Sequence, residues 1–245
     1  MRSDTSFNCG LGDAATFAHP DMRTASDTAI VLVLEEIRRF RSELRRQTQS
    51  SPNERALTEV LVLHLNGCQK NSGQSFVFQS ESMENRSCGN SPAVDIGVFW
   101  KLPGRSSREW PRVSAIEAKR LDSSMPTERR QEYVIGHQEK DRHVPCGGME
   151  RYKNGIHGSD LKRAAMLLGY VQTDDFPTWW HRINGWIADL AKETAHVPPW
   201  AESEQLGNLE AKGGVAVSES ALHRAADTLG IVHLWVDLID CCVRK

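Results

Sequence analysis

The stretch Ala93 to Trp100 (A-V-D-I-G-V-F-W), with Val113 to Lys119 (V-S-A-I-E-A-K) a short way on, decides the fold. Period-two alternation predicts a strand in each. In the first, Val94, Ile96 and Val98 would share one face, with Asp95, Gly97 and Phe99 on the other. A shorter strand, Ser75 to Gln79 (S-F-V-F-Q), precedes them, and Pro103-Gly104 opens a polar connection between them. Three successive strands joined by polar turns predict an antiparallel meander. Asp95 interrupts an otherwise apolar run, and a charge there needs a partner or a metal.

Helices flank the meander. Thr24 to Gln47 carries the stripe Ile30, Leu34, Ile37, Phe40 and Leu44 at helical spacing. Arg38, Arg39, Arg41, Arg45 and Arg46 crowd its second half. They read either as a solvated face suited to the helix dipole or as a phosphate-facing ridge. Ser51-Pro52-Asn53-Glu54 opens a second helix, with Ser51 as cap, Pro52 at the first position and Glu54 completing a capping box. Leu57, Leu61 and Leu65 mark its buried face, and Gly67 is expected to stop it.

Beyond the third strand the expectations are a short helix over Thr127 to Val134, a helix over Ser159 to Leu168 and a strand over Leu168 to Gln172. A Trp-rich helix over Thr178 to Thr194 follows, with Trp180, Ile183, Ile187 and Leu190 inward, ended by Pro198-Pro199. A last buried strand covers Gly230 to Ile239. The fold class is therefore α/β, a mixed central sheet flanked by helices, with an N-terminal helical extension. Residues 1–50 form a loose arm and a helix. Residues 51–245 form the main domain with its C-terminal extension.

Composition narrows the function. The longest apolar run, Ala29 to Leu34, is far short of the roughly 20 residues of a membrane span. No basic-then-apolar leader is visible, so a cytoplasmic location is expected. The six cysteines include the adjacent pair Cys241-Cys242 and no C-x-x-C, so they read as thiols. A net charge of -2 argues against a purely electrostatic nucleic-acid binder. Arg outnumbers Lys 21 to nine, which leaves room for phosphate recognition. There is no Gly-x-x-x-x-Gly-Lys loop and no Gly-x-Ser-x-Gly elbow.

The chemistry centres on Asp95 and Glu117-Ala118-Lys119. Roughly one acid-x-Lys match is expected by chance in such a composition, and the chain has three. Asp160-Leu161-Lys162 opens a predicted helix, where residues two apart do not share a face. Glu210-Ala211-Lys212 runs into Gly213-Gly214, where a loop is expected. Only Glu117 and Lys119 lie on a strand, side by side on one face. With Asp95 on the neighbouring strand, two carboxylates and an ammonium converge on a hard-oxygen site suited to Mg²⁺.

This pattern resembles the PD-(D/E)xK nuclease superfamily, over roughly residues 52 to 172. The matching residues are Asp95 and Glu117-Ala118-Lys119, in a predicted order of helix, three strands, helix, strand. Val94 stands where the family has Pro, with Pro92 displaced. The resemblance implies a restriction-endonuclease-like core and Mg²⁺- or Mn²⁺-dependent phosphodiester hydrolysis. Asp95, Glu117 and the Ala118 carbonyl would bind the metal, and Lys119 would position or activate the attacking water. Glu54, on the preceding helix, would serve a second metal or its water, with Glu59 as the alternative acid. DNA is the expected substrate and RNA the second choice. An ATPase or helicase subunit, a homo-oligomer and a role in bacterial anti-phage defence are further expectations of the resemblance. The rival reading is a non-catalytic DNA-binding or assembly subunit with the same fold.

A second informative stretch is Gly147 to Gly158 (G-G-M-E-R-Y-K-N-G-I-H-G). It reads as a glycine loop leading into the helix at Ser159, whose first amides could hold phosphate. Arg151, Lys153 and Arg120 are the expected nucleic-acid contacts. His143, Cys146 and His157 match no common zinc spacing. Trp179, Trp180 and Trp186 read as core packing before base stacking.

Overall fold

The structure is a computed structural model. It describes residues 22–50, 53–72, 75–85, 90–140, 142–161 and 164–239. The expected N-terminal arm, Ser51, Pro52, Lys162 and Cys241-Cys242 lie outside or largely outside these residues.

Two helices come first, α1 (Met22–Ser50) and α2 (Glu54–Ser72). The meander follows as β1 (Phe76–Met83), β2 (Ala93–Trp100) and β3 (Arg112–Leu121), antiparallel throughout. A small hairpin, β4 (His137–Glu139) and β5 (Arg142–Val144), leads to the short helix α3 (Gly148–Lys153). Then come β6 (Ala164–Val171), α4 (Phe176–Leu190), β7 (Glu210–Lys212), β8 (Val215–His223) and β9 (Thr228–Asp237). The main sheet has seven strands in the order β1-β2-β3-β6-β9-β8-β7. The β3–β6 and β6–β9 pairs are parallel and the others antiparallel. The fold is thus the expected α/β class with a mixed sheet and an N-terminal helix.

Alternation along β6 divides the core. Met166, Leu168 and Tyr170 pack with Ala29, Ile37 and Leu44 of α1 and Leu57, Leu61 and Leu65 of α2. Ala165, Leu167 and Val171 pack with Met149 and Tyr152 of α3 and Trp179, Ile183 and Ile187 of α4. Helix α1 therefore shares a core with the sheet. Its buried stripe is shifted from the expected one: Ile30, Leu34 and Phe40 are only partly buried. Arg41 and Arg45 do not form a phosphate ridge. Arg41 pairs with Asp237 at 2.7 Å, and Arg45 donates to the Ile239 carbonyl, tying α1 to the end of β9. Within β2, Ile96 and Val98 pack toward α1 and α2, but Val94 joins the opposite cluster.

Other departures have physical reasons. The predicted helix over Ser159 to Leu168 is a turn followed by β6, because a strand covered on both faces is apolar throughout and carries no period. The predicted helix over Thr127 to Val134 is a single 3-10 turn, Thr127–Arg129. Beyond it the carbonyls of Glu132, Tyr133 and Val134 accept the first amides of α3, from Gly148, Met149 and Glu150. Those amides are therefore spent, and no helix begins at Ser159 to offer others to phosphate. Gly147, just before α3, is required by this packing, since a Cβ there would come within 2.4 Å of the Ile135 backbone. Gly67 lies inside α2 with open space around it and does not stop the helix. Glu210-Ala211-Lys212 is not a loop but an exposed edge strand, turning into β8 through Gly213 and Gly214 at positive φ. In α4, which ends at Leu190, Trp179 is the buried ring, while Trp180 is partly exposed and donates to the Gly207 carbonyl at 2.8 Å. Among the described residues no helix is long and apolar enough to cross a membrane.

Candidate active site

The β2–β3 register begins at Ile96 opposite Ile116. The next pair would set Asp95 against Glu117. Instead the Asp95 carboxylate accepts a hydrogen bond from the Ala118 amide at 2.7 Å. The end of the ladder thus converts one backbone bond into a carboxylate contact, and it brings the two acidic residues onto adjacent strands where they were expected.

Glu117 is fully buried, and Lys119 nearly so. The Lys119 ammonium lies 2.8 Å from Glu117 Oε1 and 4.0 Å from Glu54 Oε1. Glu54 reaches in from the first turn of α2, and its Oε2 accepts the Arg120 amide at 3.1 Å. Its side chain is therefore committed to the strand, not to a capping box. Asn53 takes the cap position, its Oδ1 accepting the Arg55 amide at 2.9 Å. Glu59 pairs with exposed Arg55 and stays outside the site.

Burial and the nearby Glu117 charge push the Asp95 carboxyl up to about 7, against Lys119 and the Ala118 amide. Burial also raises Glu54, with Lys119 opposing and Glu117 adding to the rise. Burial works on Glu117 in the same sense but is outweighed by Lys119, His157 and Arg151, which hold it below the ordinary carboxylate range. For Lys119, burial is overcome by Glu117, Glu54 and Asp95, so the ammonium is held firmly charged. The result is one securely ionised carboxylate beside two that gain from a positive charge.

Sequence reasoning missed the support behind Glu117. Arg151 Nη1 lies 3.0 Å from Glu117 Oε1. Buried His157 sits between two acids, Nε2 at 3.4 Å from Glu117 Oε2 and Nδ1 at 3.4 Å from Glu84 Oε1. Glu84 is in turn held by Arg112 at 2.6 Å and by the Gly158 amide at 3.1 Å. Asp160, expected to open a helix, pairs with the same Arg112. No local pattern marks Glu84 or His157, because they meet only once β1 and the segment after α3 are folded together. His143 pairs with Glu150, and Cys146 lies 3.3 Å from His137, so the three residues weighed for zinc go to different partners.

Lys153 is not placed to touch a nucleic acid. It is 2% exposed, 2.6 Å from buried Glu204, and donates to the His223 carbonyl at 3.0 Å. Arg151 is partly exposed and borders the carboxylates. Half-buried Arg120 contributes its amide to Glu54.

The donor set of Asp95, Glu117 and Glu54 is all hard oxygen, and buried Glu117 Oε2 makes no hydrogen bond. These features fit Mg²⁺ or Mn²⁺. The three carboxylates do not close into a cage with all ligand atoms within 4.8 Å, as two other groups among the described residues do. Mg²⁺ does not require one, because it is commonly held by one or two carboxylates with water and phosphate completing its shell.

Comparison with protein-family models, curated proteins and solved structures gave no match.

Proposed function

We propose that the chain is a metal-dependent nuclease of PD-(D/E)xK type, hydrolysing phosphodiester bonds of DNA. The observation that carries this reading is the convergence of Asp95, Glu117, Lys119 and Glu54 where the β2–β3 ladder ends. The order α2, β1 to β3, α3, β6 supports it. Asp95 and Glu117 would hold Mg²⁺, which when bound neutralises phosphate charge and makes a water more acidic.

The protein's own groups then have distinct tasks. Lys119 is kept protonated by three acids, so it acts as a hydrogen-bond donor and not as a base. It orients the attacking water and stabilises charge developing on phosphate. Glu54, with one oxygen on the Arg120 amide, presents the other toward Lys119 and can accept a proton from that water. Arg151 spans from Glu117 to the partly open rim, where its fork suits a phosphate oxygen. His157 positions Glu117 from behind and touches no reacting atom.

The test uses labelled duplex DNA, single-stranded DNA and RNA with Mg²⁺ or Mn²⁺, each beside a chelator control. Metal-dependent cleavage, strongest on DNA, is the expected result. Intact substrate in all three cases, with correctly folded protein, overturns the proposal.

A further inference from the structure

Outside the carboxylate site, a second cluster brings together three different ligand types. We propose that Glu36, His64 and Cys68 bind a zinc-class transition-metal ion at the seam between α1 and α2. His64 and Cys68 are four residues apart on α2 and so share one helix face, which meets Glu36 of α1. Glu36 Oε2 lies 3.0 Å from His64 Nε2 and 3.1 Å from Cys68 Sγ, and Sγ lies 3.4 Å from Nε2. A tetrahedral ion with bonds of about 2.0–2.3 Å to such atoms holds them roughly 3.3–3.6 Å apart. The three donors thus need to open by only a few tenths of an ångström.

The surroundings are built to keep them there. The His64 ring stacks on Phe40 at 3.9 Å and 10° between planes, which fixes its orientation. Arg39 binds the other Glu36 oxygen, Oε1, at 2.5 Å and leaves Oε2 to the cluster. Glu36 is buried, while His64 and Cys68 are partly exposed, so an ion can enter and a water can complete the shell. Cys68 is a free thiol that donates to Glu36; ion binding would replace that contact and release the proton to solvent. Sulfur, imidazole and a single carboxylate select Zn²⁺ or Co²⁺ over Mg²⁺, opposite to the all-oxygen set at Asp95. A comparable group, Glu132, His137 and Cys146, is less available, because Arg129 binds both Glu132 oxygens at 2.8 and 2.9 Å.

Titration of the chelator-treated full chain with Co²⁺ tests the proposal and is independent of nuclease activity. The expected result is a thiolate-to-cobalt charge-transfer band that saturates at one ion per chain and is displaced by Zn²⁺. The band should vanish in Cys68→Ser and His64→Gln and persist in Cys146→Ser. As a check that needs no variant, Zn²⁺ should slow alkylation of Cys68 in the unaltered chain, read by mass spectrometry. Absence of the band in the unaltered chain, its survival in Cys68→Ser, or unprotected Cys68 in the presence of Zn²⁺ overturns the proposal.

Discussion

The Asp95 carboxylate accepts the Ala118 amide across the end of the β2–β3 ladder, 2.7 Å away, while Glu117 beside it takes two cations, Lys119 and Arg151, and buried His157 as neighbours. The two proposed metal ligands therefore differ in what the metal-free fold needs from them. Asp95→Asn keeps an oxygen for Ala118 and removes a charge that burial and Glu117 disfavour. It should raise stability at pH 8 by about 1 kcal/mol, or about 2–4 °C in Tm. Glu117→Gln strips Lys119 and Arg151 of their common counter-charge and should cost about 3 kcal/mol. Urea denaturation without divalent ions checks both, and shifts of the same sign would contradict the account.

The Lys153–Glu204 pair is a structural ion pair. Truncating one partner leaves a buried charge uncompensated, so Lys153→Met should destabilise by roughly 3–5 kcal/mol. Adding Glu204→Gln should recover part of the loss, since the uncompensated charge is then gone while the side chain keeps an oxygen for the backbone amides of His223 and Ala201 that Glu204 accepts at 2.7 and 2.9 Å. The loss should vary little between low and high salt, because the pair is buried from solvent. A mild effect of Lys153→Met, or one confined to DNA affinity, would contradict this assignment.

Arg151 and Arg120 carry the remaining expectations of phosphate contact, and Arg151 borders the carboxylates. Arg151→Gln should weaken binding of a short duplex uniformly across sequences. It should also reduce the slope of log affinity against log salt by about 1. An unchanged slope would confine Arg151 to positioning Glu117.

His233 predicts a pH dependence. It is fully buried and neutral, its nitrogens 2.9 Å from the Tyr133 hydroxyl and from Ser220 Oγ. Burial lowers its pKa to about 3. The unfolded chain binds this proton near 6.5 and the folded chain does not. Its share of stability is therefore complete above pH 6.5 and is lost as pH falls toward 3, by at most about 1.4 kcal/mol per unit. His233→Gln should flatten the stability profile across that window. A parallel profile in the variant would contradict the buried neutral state.

What was legible in the sequence was what alternation encodes. In β3, apolar and charged residues alternate, so Glu117 and Lys119 declare a strand and a shared face. In β6 both faces are covered, the run A-A-M-L-L is uniformly apolar, and helix and strand look alike. Strand β8 was missed altogether. Lys153 and Arg151 are near neighbours in one glycine-rich segment and read alike. Only the fold gives Lys153 a buried Glu204 and turns Arg151 toward Glu117. Glu84 and His157 were out of reach for the same reason, since their contacts join segments distant in the chain.

The most direct test of the central claim is cleavage of supercoiled plasmid by the purified chain with Mg²⁺ or Mn²⁺, beside EDTA and the Glu117→Ala, Lys119→Ala double variant. The account predicts metal-dependent nicking that EDTA abolishes and that the double variant, confirmed as folded by circular dichroism, lacks. Cleavage that persists in EDTA or in the folded double variant would contradict it. So would a plasmid left intact by the unaltered chain with either metal.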